Sequence, residues 1–217
     1  MSQEHPIVMI LGWRSGSSSL TKELYEKGYP LTPPLDVRPM EGHQPEGHYE
    51  NSEVQQINEA LLAHFQMNVF TPGILPFVNA DVVENWLGQH PEPVIAKDPR
   101  FAFTWPVWKT STRRRVVFAW TNRDKETQVG SIIRWYKIPQ DGAKACVAMH
   151  DIGAQLACER HESVEVGCQR PATSREGRGL SPPIRAAGVG VSGAGRRGGD
   201  KSLLREHNLR LQKGEWL

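Results

Sequence analysis

Three short clusters hold residues whose types and spacing could do chemistry. The first runs Gly12-Trp13-Arg14-Ser15-Gly16-Ser17-Ser18, behind the apolar run Ile7 to Leu11 and ahead of "LTKELYEKG". Small residues between a strand and a helix expose backbone N–H groups at the helix N-terminus. Orphan donors and the helix dipole both favour an anion there. Ser15, Gly16, Ser17 and Ser18 let anion oxygens approach and offer hydroxyls, and Arg14 adds a permanent charge. An ordinary strand-to-helix turn with a serine cap accounts for the glycine and serines equally well. The second cluster is Lys97-Asp98-Pro99-Arg100, after "PVIA". Lys97 could neutralise charge developing in a reaction, or could be a solvated lysine at a strand end. Arg100 reads as structural or substrate-facing. The third cluster spans Arg123 to Ser131, after "RRRVVFAWTN".

The elements that must position these clusters alternate. Residues 6–12 read as a buried strand. The following helix places Leu20, Leu24 and Tyr25 on one face, with Gly28 as its C-cap. "NSEVQQINEALLAHF" is the clearest helix, capped by Asn51 or Ser52, with Val54, Ile57, Leu61 and Leu62 as its apolar stripe. "NADVVENWLGQH" is a helix beginning near Asn79 or Asp81, "PVIAKDPR" a strand ending in a charged turn, "RRRVVFAWTNRD" a longer strand and "KETQVGSIIRWYKI" a helix. Alternation of this kind predicts an α/β fold with a parallel sheet covered on both faces. Ligands of such sheets collect at the carboxyl ends of the strands, and all three clusters follow a strand.

The chain has 217 residues, a formal net charge of +2 and 38% hydrophobic residues, which fits one α/β domain with a polar appendage. The weak basic balance makes no case for nucleic acid, and Arg113, Arg114 and Arg115 read as a solvated strand start. Cys146, Cys158 and Cys168 have no metal-ligand spacing and form no even disulfide set, which suits a reducing, cytoplasmic setting. His150 and His161 are too far apart for helical metal ligation. No apolar run is long enough for a membrane span, and "MSQEHP" leads into the first strand without a secretory signal. Trp105, Trp108, Trp120 and Trp135 are expected in the core or in cleft walls. Residues 166–199 contain nine glycines and no aromatic residue, so they are expected to lack a packed structure. The expected organisation is a domain over 1–165, a Gly/Arg-rich segment over 166–199 and a helix-like segment over 200–217.

The first cluster resembles the 5′-phosphosulfate loop of sulfotransferases that use 3′-phosphoadenosine 5′-phosphosulfate. In that family a strand precedes [RK]-S-G-[TS]-[TS] and a helix follows, as in "GWRSGSSSL". The family also binds the 3′-phosphate with an arginine at a strand end and a serine eight residues later, which "NRDKETQVGS" matches with Arg123 and Ser131. The chemistry stands on its own as well: a dianionic phosphate needs a charge-assisted donor, and a helix turn supplies a hydroxyl. "AKDPR" resembles the Lys-Asp-Pro segment of tyrosylprotein-type members. The resemblance covers about residues 6–140. It implies a three-layer P-loop-type fold and sulfuryl transfer to a hydroxyl or amine of a small-molecule, carbohydrate or lipid acceptor. It implies no metal, because Arg14 and Lys97 would supply the charge. A nucleoside-triphosphate loop would read G-x-x-x-x-G-K-[ST]; here no lysine follows Gly16 and the glycine spacing is one short.

The family's general base is sought in "HQPEGHYEN". "EGHY" is similar to the Glu-x-His-Phe pattern of heparan-type members and points to Glu46. "GHYEN" occurs in bacterial sulfotransferase-like sequences and points to Glu50. His48 is the third candidate. A carboxylate base would need a desolvating pocket that raises its pKa, whereas Glu50 could simply complement a helix dipole. Beyond "ESVEV" the resemblance breaks: "GCQRPATSREGRG" replaces the family's next motif, as a segment read in another frame would. Arg170, Arg175, Arg178 and Arg185 could instead form a phosphate-closing loop. Two other readings are a nucleotide-binding relative without catalysis and a kinase-like phosphotransferase.

Overall fold

The computed structural model describes residues 5–36, 48–167 and 187–190. Strand β1 (Ile7–Leu11) has all five residues buried, as expected of a strand covered on both faces. Helix α1 (Ser17–Glu26) follows its loop. It ends in a Schellman motif: Gly28 N–H donates to the Tyr25 carbonyl at 3.0 Å and Tyr29 N–H to the Leu24 carbonyl at 3.0 Å. Gly28 occupies the position just past the cap with φ +80°, where a glycine carries no steric penalty. Leu20 and Leu24 pack on the sheet, while Tyr25 of the same helix is exposed.

Two short strands, β2 (Leu35–Asp36) and β3 (Glu50–Asn51), pair antiparallel and lead into α2 (Ser52–His64). Asn51 caps α2 by accepting from Val54 N–H at 2.8 Å. The stripe Val54, Ile57, Leu61 and Leu62 is buried as its spacing predicts. Next come α3 (Asp81–Gln89), β4 (Val94–Lys97), α4 (Phe101–Thr110), β5 (Val116–Asn122), α5 (Lys125–Tyr136) and α6 (Gln140–Arg160). Strands β6 (Ser163–Gly167) and β7 (Ala187–Gly190) complete the described chain.

The sheet order is β4-β1-β5-β6-β7. Strands β4, β1 and β5 form its parallel centre, β6 extends it in parallel, and β7 pairs antiparallel with β6. Alternate β1 residues face opposite layers. Ile7, Met9 and Leu11 pack with α2, α3, α4 and α6; Val8 and Ile10 pack with α1 and Leu31. The fold is therefore α/β, a central parallel sheet flanked by helices. Because β1 lies between β4 and β5, the three clusters emerge side by side at the carboxyl ends of adjacent strands. The chain leaves β1 for one neighbour and then crosses to the other, which is the switch point where such sheets bind ligands.

Helix α4 carries Pro106 in its interior, which is why "FAFTWPVWKT" does not read as a helix from sequence. Pro106 cannot donate to the Ala102 carbonyl one turn back. That carbonyl lies against Gly153 of α6, where an added Cβ would meet it at 2.1 Å. The two helices touch backbone to backbone. Trp105 and Trp108 of α4 are core residues, Trp120 is partly buried against that core, and Trp135 lies outside it.

Two strands bear on the sequence-based boundary at 165, the first, β6, by running across it. Residues 187–190 form the second, β7, within the segment expected to lack structure. Backbone pairing needs no side-chain period, so "AGVG" can join a sheet edge without any apolar pattern. Glu46, Arg170, Arg175, Arg178, Arg185 and the stretch 200–217 lie outside the described residues. Arg114 bonds the carbonyls of His5 and His90 at 2.7 Å each, and Arg115 pairs with Glu162, so both arginines brace the start of β5.

The α4–α6 contact yields a stability test. Gly153→Ala should destabilise by about 3 kcal/mol or more in chemical denaturation, because backbone has to move. Gly142→Ala in the same helix meets nothing within 4 Å, and should be neutral or stabilise by up to about 1 kcal/mol.

Candidate functional site

The first loop owes its shape to backbone handedness. Gly12, Arg14 and Gly16 have φ of +121°, +55° and +98°, while Trp13 and Ser15 between them do not have positive φ. Alternation of this kind turns successive N–H groups toward one side and makes an anion-binding concavity. Gly12 is required for a further reason: a Cβ there would meet the hydroxyls of Ser15 and Thr121 at 2.3 Å each. Those hydroxyls bond each other at 2.6 Å, and Thr121 donates to the Leu11 carbonyl at 3.1 Å. Thr121 has spent its hydrogen, so Ser15 is the donor between them.

This corrects one sequence expectation. The Ser15 side chain is fully buried and fastens the loop to β5; it does not line the cavity. Ser17 donates back to the Gly12 carbonyl at 2.9 Å, which closes the loop onto α1. Gly16, Ser17 and Ser18 do line the cavity, as do Arg14, Lys97, Arg123 and Ser131. The cavity measures about 450 Å³, within the range of small-molecule sites. Seven residues expected at separate strand ends thus border one space. Arg14 Nε donates to Ser131 Oγ at 2.8 Å, which ties the first cluster directly to the third. Burial lowers the Arg14 pKa, and the like charges of Arg123 and Arg134 add to it against Tyr136. Its guanidinium also stands 5.9 Å from the Trp135 ring. At the start of α5, the Asp124 carboxylate accepts from the N–H groups of Glu126 and Thr127, setting Arg123 just before the helix.

The opposite wall is built around Lys97, which is 3% exposed. Its ammonium donates to Ser18 Oγ at 3.1 Å, to the His48 carbonyl at 3.3 Å and to Glu50 Oε1. The other Glu50 oxygen accepts from the Gln55 amide. Burial alone would push the Glu50 pKa up, but the Lys97 charge and hydrogen bond outweigh it and hold the carboxyl below its ordinary value. Glu50 is therefore the ionised counter-ion of Lys97, not the raised-pKa carboxylate expected of a base. His48 borders the same cavity, with Nδ1 3.9 Å from Glu50 Oε1. Burial lowers its pKa, with the charges of Lys97 and Arg14 adding and those of Glu50 and Asp36 opposing. Its imidazole is neutral at pH 7.

A buried network stands behind Lys97. Asp98 is fully buried and accepts from Arg100 N–H at 2.8 Å, from the Arg100 guanidinium at 3.1 Å and from Asn58 at 3.1 Å. Asn58 in turn accepts from Thr104 at 2.8 Å and from Trp108 at 2.7 Å. Arg100 also pairs with Glu59 and borders the cavity, so it both braces the turn and faces the open space.

Several wall residues had no signal in the sequence. Trp13, Phe70 and Tyr136 form a mutual aromatic cluster with ring centroids 5.2 to 5.6 Å apart, and all three border the cavity. Trp13 sits inside the first motif, yet the tryptophans expected in the core or in cleft walls were four others. Beneath Trp13 lies His150, whose ring nitrogens make no well-formed hydrogen bond and whose pKa burial pushes down to about 3. Cys146 donates to the Phe70 carbonyl at 3.5 Å and fixes that segment.

Among the described residues, no group of three His, Cys, Asp or Glu side chains could hold a metal ion. No helix among them is long and apolar enough to cross a membrane. Comparison with known proteins finds no family model that matches this chain and no curated protein that matches it.

Asp98 sets a pH test. Burial, against the Arg100 charge, pushes its pKa up from 3.8 to about 6. The folded state then binds this proton more tightly than the unfolded chain does, so its contribution is greatest below pH 4 and is lost as pH rises through 6. The stability of the wild type relative to Asp98→Asn should fall between pH 4 and pH 6 in urea titrations. A difference that rises with pH would contradict the assignment.

Proposed function

We propose that this chain transfers a sulfuryl group from 3′-phosphoadenosine 5′-phosphosulfate to a hydroxyl or amine acceptor, within a P-loop-type sulfotransferase fold. The observation that carries the reading is the Arg14–Ser131 hydrogen bond. It joins the anion-binding loop to the Arg123–Ser131 pair in one cavity, as a ligand with phosphates at both ends requires. The donor set fits such a ligand: Arg14, Lys97, Arg100 and Arg123 border the cavity against two carboxylates, Asp36 and Glu50.

When bound, the co-substrate supplies an activated sulfuryl group whose bridging oxygen departs with the 5′-phosphate. The residues of the chain take distinct roles around it. Loop N–H groups and Arg14 hold the 5′-phosphate and stabilise the charge that grows there. Arg123 and Ser131 hold the 3′-phosphate. Lys97, reaching past Ser18, neutralises the transferring group. His48 takes the acceptor's proton, since it is neutral and borders the cavity, while Glu50 is occupied with Lys97. The acceptor is a small-molecule, carbohydrate or lipid hydroxyl. Positioning and charge neutralisation account for the catalysis, as in phosphoryl transfer.

Adenosine 3′,5′-bisphosphate should raise the melting temperature of the chain, by about 2.7 kcal/mol of stabilisation at a hundredfold excess over its Kd. ADP with magnesium should not, and an equal shift for ADP would favour a kinase-like site instead. Arg14→Ala should weaken bisphosphate binding about 10- to 100-fold through loss of a charge-assisted contact, and Ser131→Ala by a smaller factor. In a sulfuryl-transfer assay, His48→Gln should lower kcat by about 10²-fold or more with bisphosphate affinity unchanged. An unaltered kcat would remove the imidazole from the chemistry.

A further inference from the structure

The deep end of the cavity contains a buried ion pair whose cation is already fully engaged. A lysine ammonium has three N–H donors. In Lys97 they go to Ser18 Oγ, the His48 carbonyl and Glu50. Lys97 and Glu50 are 3% and 6% exposed, so neither charge has bulk water to fall back on. Ser18 borders the cavity beside the anion-binding loop, which puts an anion held there next to the ammonium. Whichever of the three bonds yields, one ammonium then faces two anions.

We propose that capture of an anion at this loop is coupled to uptake of one proton by Glu50. The proposal rests on the anion-binding part of the reading above and does not need the sulfuryl chemistry. The surroundings of Glu50 favour it. Arg100 is engaged by Asp98 and Glu59, so it is not released to compensate a second anion. Asp98, on the turn after β4, and Asp36, opposite Glu50 in the β2–β3 register, add negative charge. His48 is held neutral by burial, and Arg14 beyond it is bonded to Ser131. A carboxylate that is buried and loses its counter-ion is neutralised more cheaply than it is kept charged. The balance is simple: solvent gives one proton, Glu50 becomes a neutral acid, and Lys97 turns its charge to the incoming anion.

The test is calorimetric titration of the full chain with inorganic sulfate, in buffers of differing protonation enthalpy. Sulfate itself does not titrate near neutral pH, so any proton taken up belongs to the protein. Uptake should approach one proton per sulfate, and affinity should weaken by up to about tenfold per pH unit as pH rises through the coupled range. Glu50→Gln should abolish uptake and make binding independent of pH, while His48→Gln should retain both effects. Lys97→Met gives a second route should Glu50→Gln fail to fold: its Glu50 is already protonated before binding, so uptake again vanishes. Binding without uptake in the wild type, or undiminished uptake in Glu50→Gln, would overturn the proposal, as would loss of uptake in His48→Gln alone. A parallel titration with adenosine 3′,5′-bisphosphate separates the two readings. If it binds no better than sulfate yet uptake is seen, the sulfuryl-transfer reading fails and the proton coupling stands. Tight bisphosphate binding without uptake gives the reverse.

Discussion

Placing a lysine ammonium inside a protein is costly, and the architecture of this site follows from how the Lys97 charge is accommodated. A buried ion pair returns its desolvation cost only when geometry is good and the remaining hydrogen-bonding capacity is satisfied. Both conditions are met by elements distant in sequence. Strand β4 delivers Lys97, strand β3 delivers Glu50, α1 delivers Ser18, and the segment before β3 delivers the His48 carbonyl. Gln55 completes the carboxylate from the first turns of α2. The short β2–β3 ladder is too small to be stable alone. Its role is to bring a carboxylate to the end of β4.

The rest of the cavity is assembled by the sheet. Parallel strands finish at one edge, and β1 lies between β4 and β5, so the three loops that follow them meet there. The Ser15–Thr121 hydroxyl bond then locks the first loop to β5, and the Asp98–Asn58 bond locks the turn after β4 to α2. Both locks are buried, where an unpaired partner would be expensive. The first loop and the turn after β4 are thus fastened from behind, and these polar supports lie one layer behind the residues that touch the cavity.

Much of this was legible in the sequence, because the informative residues obey local rules. Gly28 marks a helix end, Asn51 marks a helix start, and the three clusters mark strand ends. Helix α4 was hidden by Pro106, and it is held in place by its close backbone contact with α6 at Gly153, which no local pattern reports. The base is not legible for a similar reason, and Glu46 lies outside the described residues. Whether Glu50 is a base or a counter-ion depends on Lys97, 47 residues away, and no local pattern reports that pairing. Likewise Ser15 resembles its neighbours in sequence but turns the other way, toward Thr121, 106 residues distant. Strand β7 pairs through its backbone, which composition does not encode.

The bond between Arg14 and Ser131 joins positions 117 residues apart, and it has a consequence for how this protein can change over generations. A lysine at 14 lacks the guanidinium Nε that reaches the serine, and a larger residue at 131 would displace the arginine from its place beside Trp135. Neither position can drift alone without loosening the cavity. A change at either position removes this bond, so each position restricts what the other can usefully be.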